Sequence, residues 1–512
     1  MECSTSTRRG VIIGATVTIV ISAVALIIIA VLYALATNVG LMHAVVLDAG
    51  STSTKLNLYE WIDNPFRTNA QVKQIADSRV KPGISSFIDK PFEAYKKLEE
   101  PLQTLIANLS VEERKKTPVY LAATAGMRLQ LLEDPLGSLD LFDKLRRGLL
   151  TSGLLVEVPN ERIRLLSGSE EGLFGWISVN NILKLITVDV QVSSDRTVGS
   201  LDLGGASTQI AFVPSPIPTT LEKTADMFPL KLFGGQYDVY SHSFLCYGKN
   251  EAERRVMGAA IGSSQATVIE HPCLLNGYVS GEMDATKIFS GPCMSGSYAN
   301  KVFGKEYTKP PQLNKFQFRG TGNLATCKKL ISEQFKKDSC TIPPCSFNNV
   351  FQPPVVGDFR AYAGFSYVTK YLFPGQSTGI SKTLFDKTVM EFCAQPWATI
   401  AAKTPVEEQE SVAKYCFDGV FVSVLLENYG FTKDEEWKRI TFGDKIEGTT
   451  VSWALGYMLD QSGFLPSESP PINMPVTLFA GLAALLAALL IAAVVMLVLA
   501  LCGCIKTGER FE

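Results

Sequence analysis

Asp48-Ala49-Gly50-Ser51-Thr52-Ser53-Thr54 and Asp202-Leu203-Gly204-Gly205-Ala206-Ser207-Thr208 repeat aspartate, glycine, serine and threonine at the same offsets. A strand-like run precedes each, Ala44 to Leu47 in the first and the weaker Val198 to Leu201 in the second. More strand-like residues follow, Leu56 to Trp61 and Ile210 to Val213. Each copy reads as strand, tight turn, strand. Glycine lets the turn bend and lets backbone N–H groups approach an anion closely. The hydroxyls add donors, and the aspartate can hold a metal ion. Such turns are common on protein surfaces, so one copy says little. Two copies in matching context predict a pair of loops that grip a polyphosphate from both sides.

Outward from the repeat, Val11 to Ala36 and Val476 to Leu501 are uncharged and almost wholly apolar. Each is long enough for a hydrocarbon core of about 30 Å, which needs about 20 residues. The first run is far longer than the roughly 7–15 apolar residues of a cleaved signal peptide, which favours a retained anchor. Arg8 and Arg9 precede the first span, and Lys506 and Arg510 follow the second. Basic flanks mark the cytosolic side. The expected order is a cytosolic N-terminus (1–10), a transmembrane helix (11–37), a large domain on the far side, a proline- and serine-rich stalk (463–475), a second transmembrane helix (476–501) and a cytosolic C-terminus (502–512). The intervening region must fold by itself, as one domain or two lobes. Small residues between Ala480 and Ala493 permit close helix packing, so the spans are where a homo-oligomer would form. A net charge of −2 and the lack of a basic tract argue against nucleic acid as a partner.

Eight of the eleven cysteines lie between the spans: Cys246, Cys273, Cys293, Cys327, Cys340, Cys345, Cys393 and Cys416. With three histidines (His43, His242, His271) and no CxxC pair, zinc is disfavoured. An even number of cysteines suggests disulfides formed in an oxidising compartment, and spacing leaves their connectivity open. Cys3, Cys502 and Cys504, near the inner ends of the spans, are candidates for lipidation. Asn108-Leu109-Ser110 is an N-glycosylation sequon.

Two clusters separate the loops. Val119 to Ala123 is strand-like and runs into Thr124-Ala125-Gly126-Met127-Arg128, where small residues meet a helix-forming stretch. This reads either as an ordinary strand-to-helix turn or as a hydroxyl placed beside a substrate. Gly168 to Trp176 carries Glu170 and Glu171 at a helix start. Acids there suit the helix dipole. A carboxylate between glycines is also what phosphoanhydride hydrolysis needs, and a glutamate with an ordinary pKa of about 4.3 is ionised at neutral pH. Near the C-terminus, Ser452 to Leu459 reads as a core helix. The P-loop pattern GxxxxGK[ST] and the HExxH pattern are both missing. Gly375-Gln376-Ser377-Thr378-Gly379 fits GxSxG by letter, but Pro374 precedes it and polar residues follow, so it reads as a surface loop.

Five segments, VLDAGSTSTKLNLYEW (46–61), LAATAGMR (121–128), SGSEEGLFGWISVN (167–180), GSLDLGGASTQIAF (199–212) and SWALGYML (452–459), resemble in order and approximate spacing the five apyrase signature regions of the ecto-nucleoside triphosphate diphosphohydrolase family. The resemblance covers essentially the whole region between the spans, and two spans are a feature of the cell-surface branch. It implies an α/β fold of the actin–hexokinase type: a two-lobed ectodomain of duplicated phosphate-binding lobes between two transmembrane helices. Lobe I would take 39–167 with a return segment at 443–468, and lobe II would take 168–442. The resemblance also implies an extracellular hydrolase at the plasma membrane that cleaves ATP, ADP, UTP and UDP to the monophosphate and so modulates purinergic signalling. The alternatives are a nucleoside diphosphatase of the same fold in an organelle lumen, and an inactive nucleotide-binding membrane protein.

Carried over by motif position, Glu171 would be the general base, with Thr124, Ser207 and Gln209 positioning the water. Ser51, Thr52, Ser53, Gly204, Gly205, Ala206 and Ser207 would bind phosphates. Asp48 and Asp202 would hold Ca2+ or Mg2+, mainly through its water shell, and Trp453 would line the metal side. Tyr367 would stack on the nucleobase. The disulfides would pair Cys246 with Cys293, Cys273 with Cys327, Cys340 with Cys345, and Cys393 with Cys416. The chain departs from the family at Ser53, where several surface members have histidine, and at Ser366, where an aromatic is common. Ser411 stands where some members have a base-covering arginine, and 79–105 lacks their extra cysteine pair.

Overall fold

The computed structural model describes residues 5–37, 40–63, 72–186, 193–218, 225–232, 235–337, 340–461 and 476–502. The stalk at 463–475, Cys3, Cys504 and the basic residues Lys506 and Arg510 lie outside them. The chain divides into two compact units, one with both chain ends and one with Met42–Trp61 and Ala70–Ser469.

The first unit contains the helices Thr5–Thr37 and Val476–Leu501. Both are long and apolar enough to cross a membrane, and they expose side chains such as Ile13, Ile27 and Ile491. They pair antiparallel. Arg8 donates from Nε to the Ala500 carbonyl and from Nη2 to the Leu501 carbonyl, each at 2.8 Å. The last carbonyls of a helix have no intrahelical donor, and Arg8 supplies one. Towards the other end Tyr33 stacks on Phe479, with ring centroids 3.9 Å apart.

The second unit begins with the strands β1 (Gly40–Ala49, from Met42 on), β2 (Thr54–Asp63, as far as Trp61), β3 (Lys73–Val80), β4 (Val119–Ala123) and β5 (Ile163–Leu165). They form one sheet in the order β3-β2-β1-β4-β5. Ala44 to Leu47 is wholly buried, as a central strand covered on both faces must be. The strand period of two divides its side chains. Val45 and Leu47 join Leu98, Leu102, Leu141 and Leu145 on one face, whereas Ala44 and Val46 enter a different core on the other. At the edge β3 alternates exposed and half-buried residues.

The chain continues through β6 (Gly199–Leu203), β7 (Ser207–Phe212), β8 (Met227–Leu232) and β9 (Gly235–Leu245). An insert follows with its own small sheet of β10 (Val268–His271), β11 (Met283–Asp284) and β12 (Lys315–Gly320). β13 (Phe359–Ala363) and β14 (Ile440–Phe442) then complete the second large sheet, ordered β14-β13-β6-β7-β9-β8. Apart from the added β8, this order repeats the first sheet. β6 and β7 correspond to β1 and β2, β9 to β3, and the parallel pair β13 and β14 to β4 and β5. Register repeats as well: Asp48 lies opposite Ala122 on β4, and Asp202 opposite Tyr362 on β13.

The helices Gly168–Ile182 and Trp453–Gln461 share a core with one face of each large sheet. A Cβ at Gly456 would stand 2.1 Å from the Phe174 carbonyl oxygen, so the two helices cross where only glycine fits. The 452–459 stretch is thus a core helix, as its apolar pattern predicts. Disulfides join Cys246 to Cys293, Cys273 to Cys327, Cys340 to Cys345 and Cys393 to Cys416. Asn108 is exposed, and the 375–379 loop is exposed and irregular.

Candidate active site

The two repeated loops are the β1–β2 and β6–β7 turns, and each closes with the same hydrogen bond. Gly50 N donates to Ser53 O and Gly204 N to Ser207 O, both at 3.0 Å. They meet across one cleft. A Cβ on Gly205 would lie 2.6 Å from Ser51 Oγ and 3.2 Å from Thr52 Cγ2. Each loop is backed by the helix that follows its parallel neighbour strand. A Cβ on Gly126 would lie 2.7 Å from Ser51 Cα, and one on Gly364 would lie 2.8 Å from the Leu203 carbonyl. The Lys249–Ile261 helix braces the second loop, with Lys249 N and Asn250 N donating to the Gly204 and Gly205 carbonyls at 2.9 Å.

The cleft is lined by Asp48, Ser51, Thr52, Ser53, Thr124, Glu171, Asp202, Gly204, Gly205, Ala206, Ser207, Tyr367 and Trp453. Gln209 is the one sequence-derived catalytic residue behind this lining. Its Nε2 donates to Glu171 Oε2 at 3.1 Å, Ser207 Oγ at 2.7 Å and Ser243 Oγ at 2.9 Å. Its Oε1 is buried without a protein partner and so remains an acceptor. Thr124 Oγ1 lies 3.5 Å from the Ala49 carbonyl. Tyr367 lines the cleft and is 44% exposed.

The two acids of the Gly168–Ile182 helix sit in different surroundings. Glu170 completes a capping box with Ser167 and pairs with Arg164 at 2.8 Å. Glu171, one residue further round the helix, is buried in the cleft wall. Its carboxyl does not keep the ordinary value expected from sequence. Burial pushes it up to about 7, opposed by the Arg128 guanidinium and reinforced by Asp48. Arg128 Nη2 pairs with Glu171 Oε2 and donates to Ser207 Oγ at 3.1 Å. The motif at 121–128 contains Arg128, but the chain gives no sign that it reaches Glu171 on a different element. Lys55, Arg79, Lys249 and Asn250 also line the cleft and have no counterpart in the sequence reading.

Asp48 and Asp202 are both displaced upward by burial. Asp202 lies well above the carboxylate range, with Glu171 adding to the effect of burial. Buried carboxylates that repel one another call for a cation. Among the described residues no three His, Cys, Asp or Glu side chains converge as direct ligands. Two aspartates with serine and threonine hydroxyls form a hard-oxygen set, which fits an ion that keeps part of its water shell.

A family model described as the GDA1/CD39 (nucleoside phosphatase) family matches residues 35–473. The chain is 33% identical to ectonucleoside triphosphate diphosphohydrolase 1 of Mus musculus over 437 residues, covering 84% of this chain and 82% of that protein. It is 34% identical to ectonucleoside triphosphate diphosphohydrolase 8 of Bos taurus, covering 83% of each. It is likewise 34% identical to ectonucleoside triphosphate diphosphohydrolase 2 of Mus musculus, covering 84% of each. A crystal structure of nucleoside triphosphate hydrolases from Neospora caninum has the same fold, with a TM-score of 0.61 at 16% identity over 87% of this chain and 96% of that one. The α/β architecture is the actin-like one that the resemblance implies, with an apolar helix at each end. With nearly the whole region between the spans matched, the chain belongs to the GDA1/CD39 (nucleoside phosphatase) family and is a membrane hydrolase of the nucleoside triphosphate diphosphohydrolase kind.

Proposed function

We propose that the protein is an ecto-nucleotidase that hydrolyses the terminal phosphoanhydride of ATP, ADP, UTP and UDP outside the cell and thereby shapes purinergic signalling. The observation that carries this reading is the position of Glu171, a buried carboxylate in the same cleft as two facing phosphate loops and two aspartates. Lobe I (39–167 with 443–468) and lobe II (168–442) each contribute one loop. Ser51, Thr52 and Ser53 from one side, and Gly204, Gly205, Ala206 and Ser207 from the other, bind the phosphates. Glu171 takes a proton from the attacking water, which Thr124, Ser207 and Gln209 orient. Developing charge on the transferred group is met by backbone N–H groups and hydroxyls already in place. Asp48 and Asp202 would hold Ca2+ or Mg2+, mainly through its water shell, with Trp453 lining that side of the cleft, and a bound ion would supply neutralisation of phosphate charge. Tyr367 stacks on the base.

Both termini are cytosolic in this reading, because Arg8, Arg9, Lys506 and Arg510 flank the spans. The test is phosphate release from intact expressing cells given ATP or ADP with Ca2+, Mg2+ or EDTA. Metal-dependent release from both nucleotides outside the cell is expected. Release that requires permeabilisation would move the enzyme to an internal lumen. Silence in both conditions, with folded protein present, would leave only nucleotide binding.

A further inference from the structure

Lys55 is the first residue after the Asp48–Thr54 loop, and its Nζ lies 3.8 Å from Asp48 Oδ2. The pair is shielded, with the lysine side chain 28% exposed and the aspartate 9%. On β3 Arg79 stands directly opposite Lys55. Both cations line the cleft together with Asp48, Asp202 and Glu171. The field of Lys55 reaches both aspartates and offsets part of the burial effect on each, and Arg79 does the same for Asp48. The carboxylates that would hold a divalent ion thus already face an ammonium supplied by the chain.

An ammonium and a divalent ion next to the same carboxylate repel one another, and in a shielded cleft that repulsion is much stronger than in water. We propose that Lys55 is a resident counter-cation for Asp48, so that the nucleotide-free cleft binds divalent metal weakly and the metal enters with the phosphates of the substrate. Phosphate oxygens give the ammonium a second anionic partner, which releases Asp48 to the ion. Lys55 is in this sense a positioning residue that sets the order of binding. The inference rests on the reading of Asp48 and Asp202 as the metal-holding pair.

The test uses the full chain in nanodiscs and Mn2+ as the probe, with free Mn2+ counted by electron paramagnetic resonance. Titrations are run with and without a non-hydrolysable nucleoside triphosphate analogue. Without nucleotide, Lys55→Met is expected to bind Mn2+ about tenfold more tightly than the wild type or more, and Lys55→Arg, which keeps the charge, is expected to stay weak. With the analogue present, wild type and Lys55→Met should converge. Lys55→Gln is a second neutral variant should the methionine variant not fold, and circular dichroism checks each. Equal affinity of wild type and both neutral variants, together with weaker binding in Asp48→Asn, would overturn the role of Lys55 and leave the aspartate pair standing. No site sensitive to Asp48→Asn or Asp202→Asn in any variant, with or without the analogue, would overturn the aspartate reading and this inference with it.

Discussion

A base at Glu171 would act only when ionised, and burial raises its pKa to about 7. kcat/KM is therefore expected to rise with pH through that region and to level off above it. The Arg128 cation favours the ionised form, so Arg128→Met should move this acidic limb to higher pH, by about one unit or more. Arg128→Lys should restore much of the shift. A full pH profile of kcat/KM checks this, and an unmoved limb in Arg128→Met would remove Arg128 from control of the base. Glu171→Gln keeps the side-chain shape but cannot take a proton, and should lower kcat about a hundredfold or more with the fold retained. Activity and circular dichroism on the same preparation separate loss of chemistry from loss of structure.

The elements hold these side chains through close backbone contacts. Gly456 and Phe174 bring two helices together, and Gly126 lets the helix after β4 press on the first loop. Gly456→Ala puts a methyl group against a backbone carbonyl, which has no rotamer by which to withdraw. Its expected cost is about 1–3 kcal/mol of stability, read as a lower denaturation midpoint with unchanged slope. An unshifted midpoint would mean that the crossing relaxes. Because Glu171 lies on the helix that packs against Gly456, activity should fall before global unfolding begins.

At the scale of the whole region between the two apolar helices, the four disulfides all lie in the second half, around the insert and the helices behind the second sheet. Cys246–Cys293 closes a separation of 47 residues and ties the end of β9 to the insert. Restricting a chain segment of that length in the unfolded state contributes about 4 kcal/mol in the chain-entropy account. Replacing both cysteines with serine should lower thermal stability without abolishing nucleotide hydrolysis at low temperature. Parallel unfolding curves and rates at about 15 °C test this. A variant as stable as the wild type would show that packing of the insert suffices.

Local sequence determined a good deal of this protein. Apolar runs of sufficient length mark the spans, because crossing hydrocarbon depends on length and composition alone. The repeated aspartate–glycine–hydroxyl turns mark both loops that face one another across the cleft, because a hairpin with a close backbone approach is encoded within a few residues. Val119 to Ala123 and the Gly168 helix start are legible for the same reason. Other features depend on residues far apart in the chain. Arg128 meets Glu171 across 43 positions and Ser207 across 79, and no local pattern records such pairs. The third part of the duplication, Ala363-Gly364 behind the second loop as Ala125-Gly126 lies behind the first, shares only an Ala-Gly dipeptide, too common to mark a repeat, and emerges from strand order. The pKa of Glu171 belongs to this second class as well. Its type and position are written in the chain, but its proton affinity comes from burial and from neighbouring charges on other elements, which exist only once the two sheets have closed on the cleft.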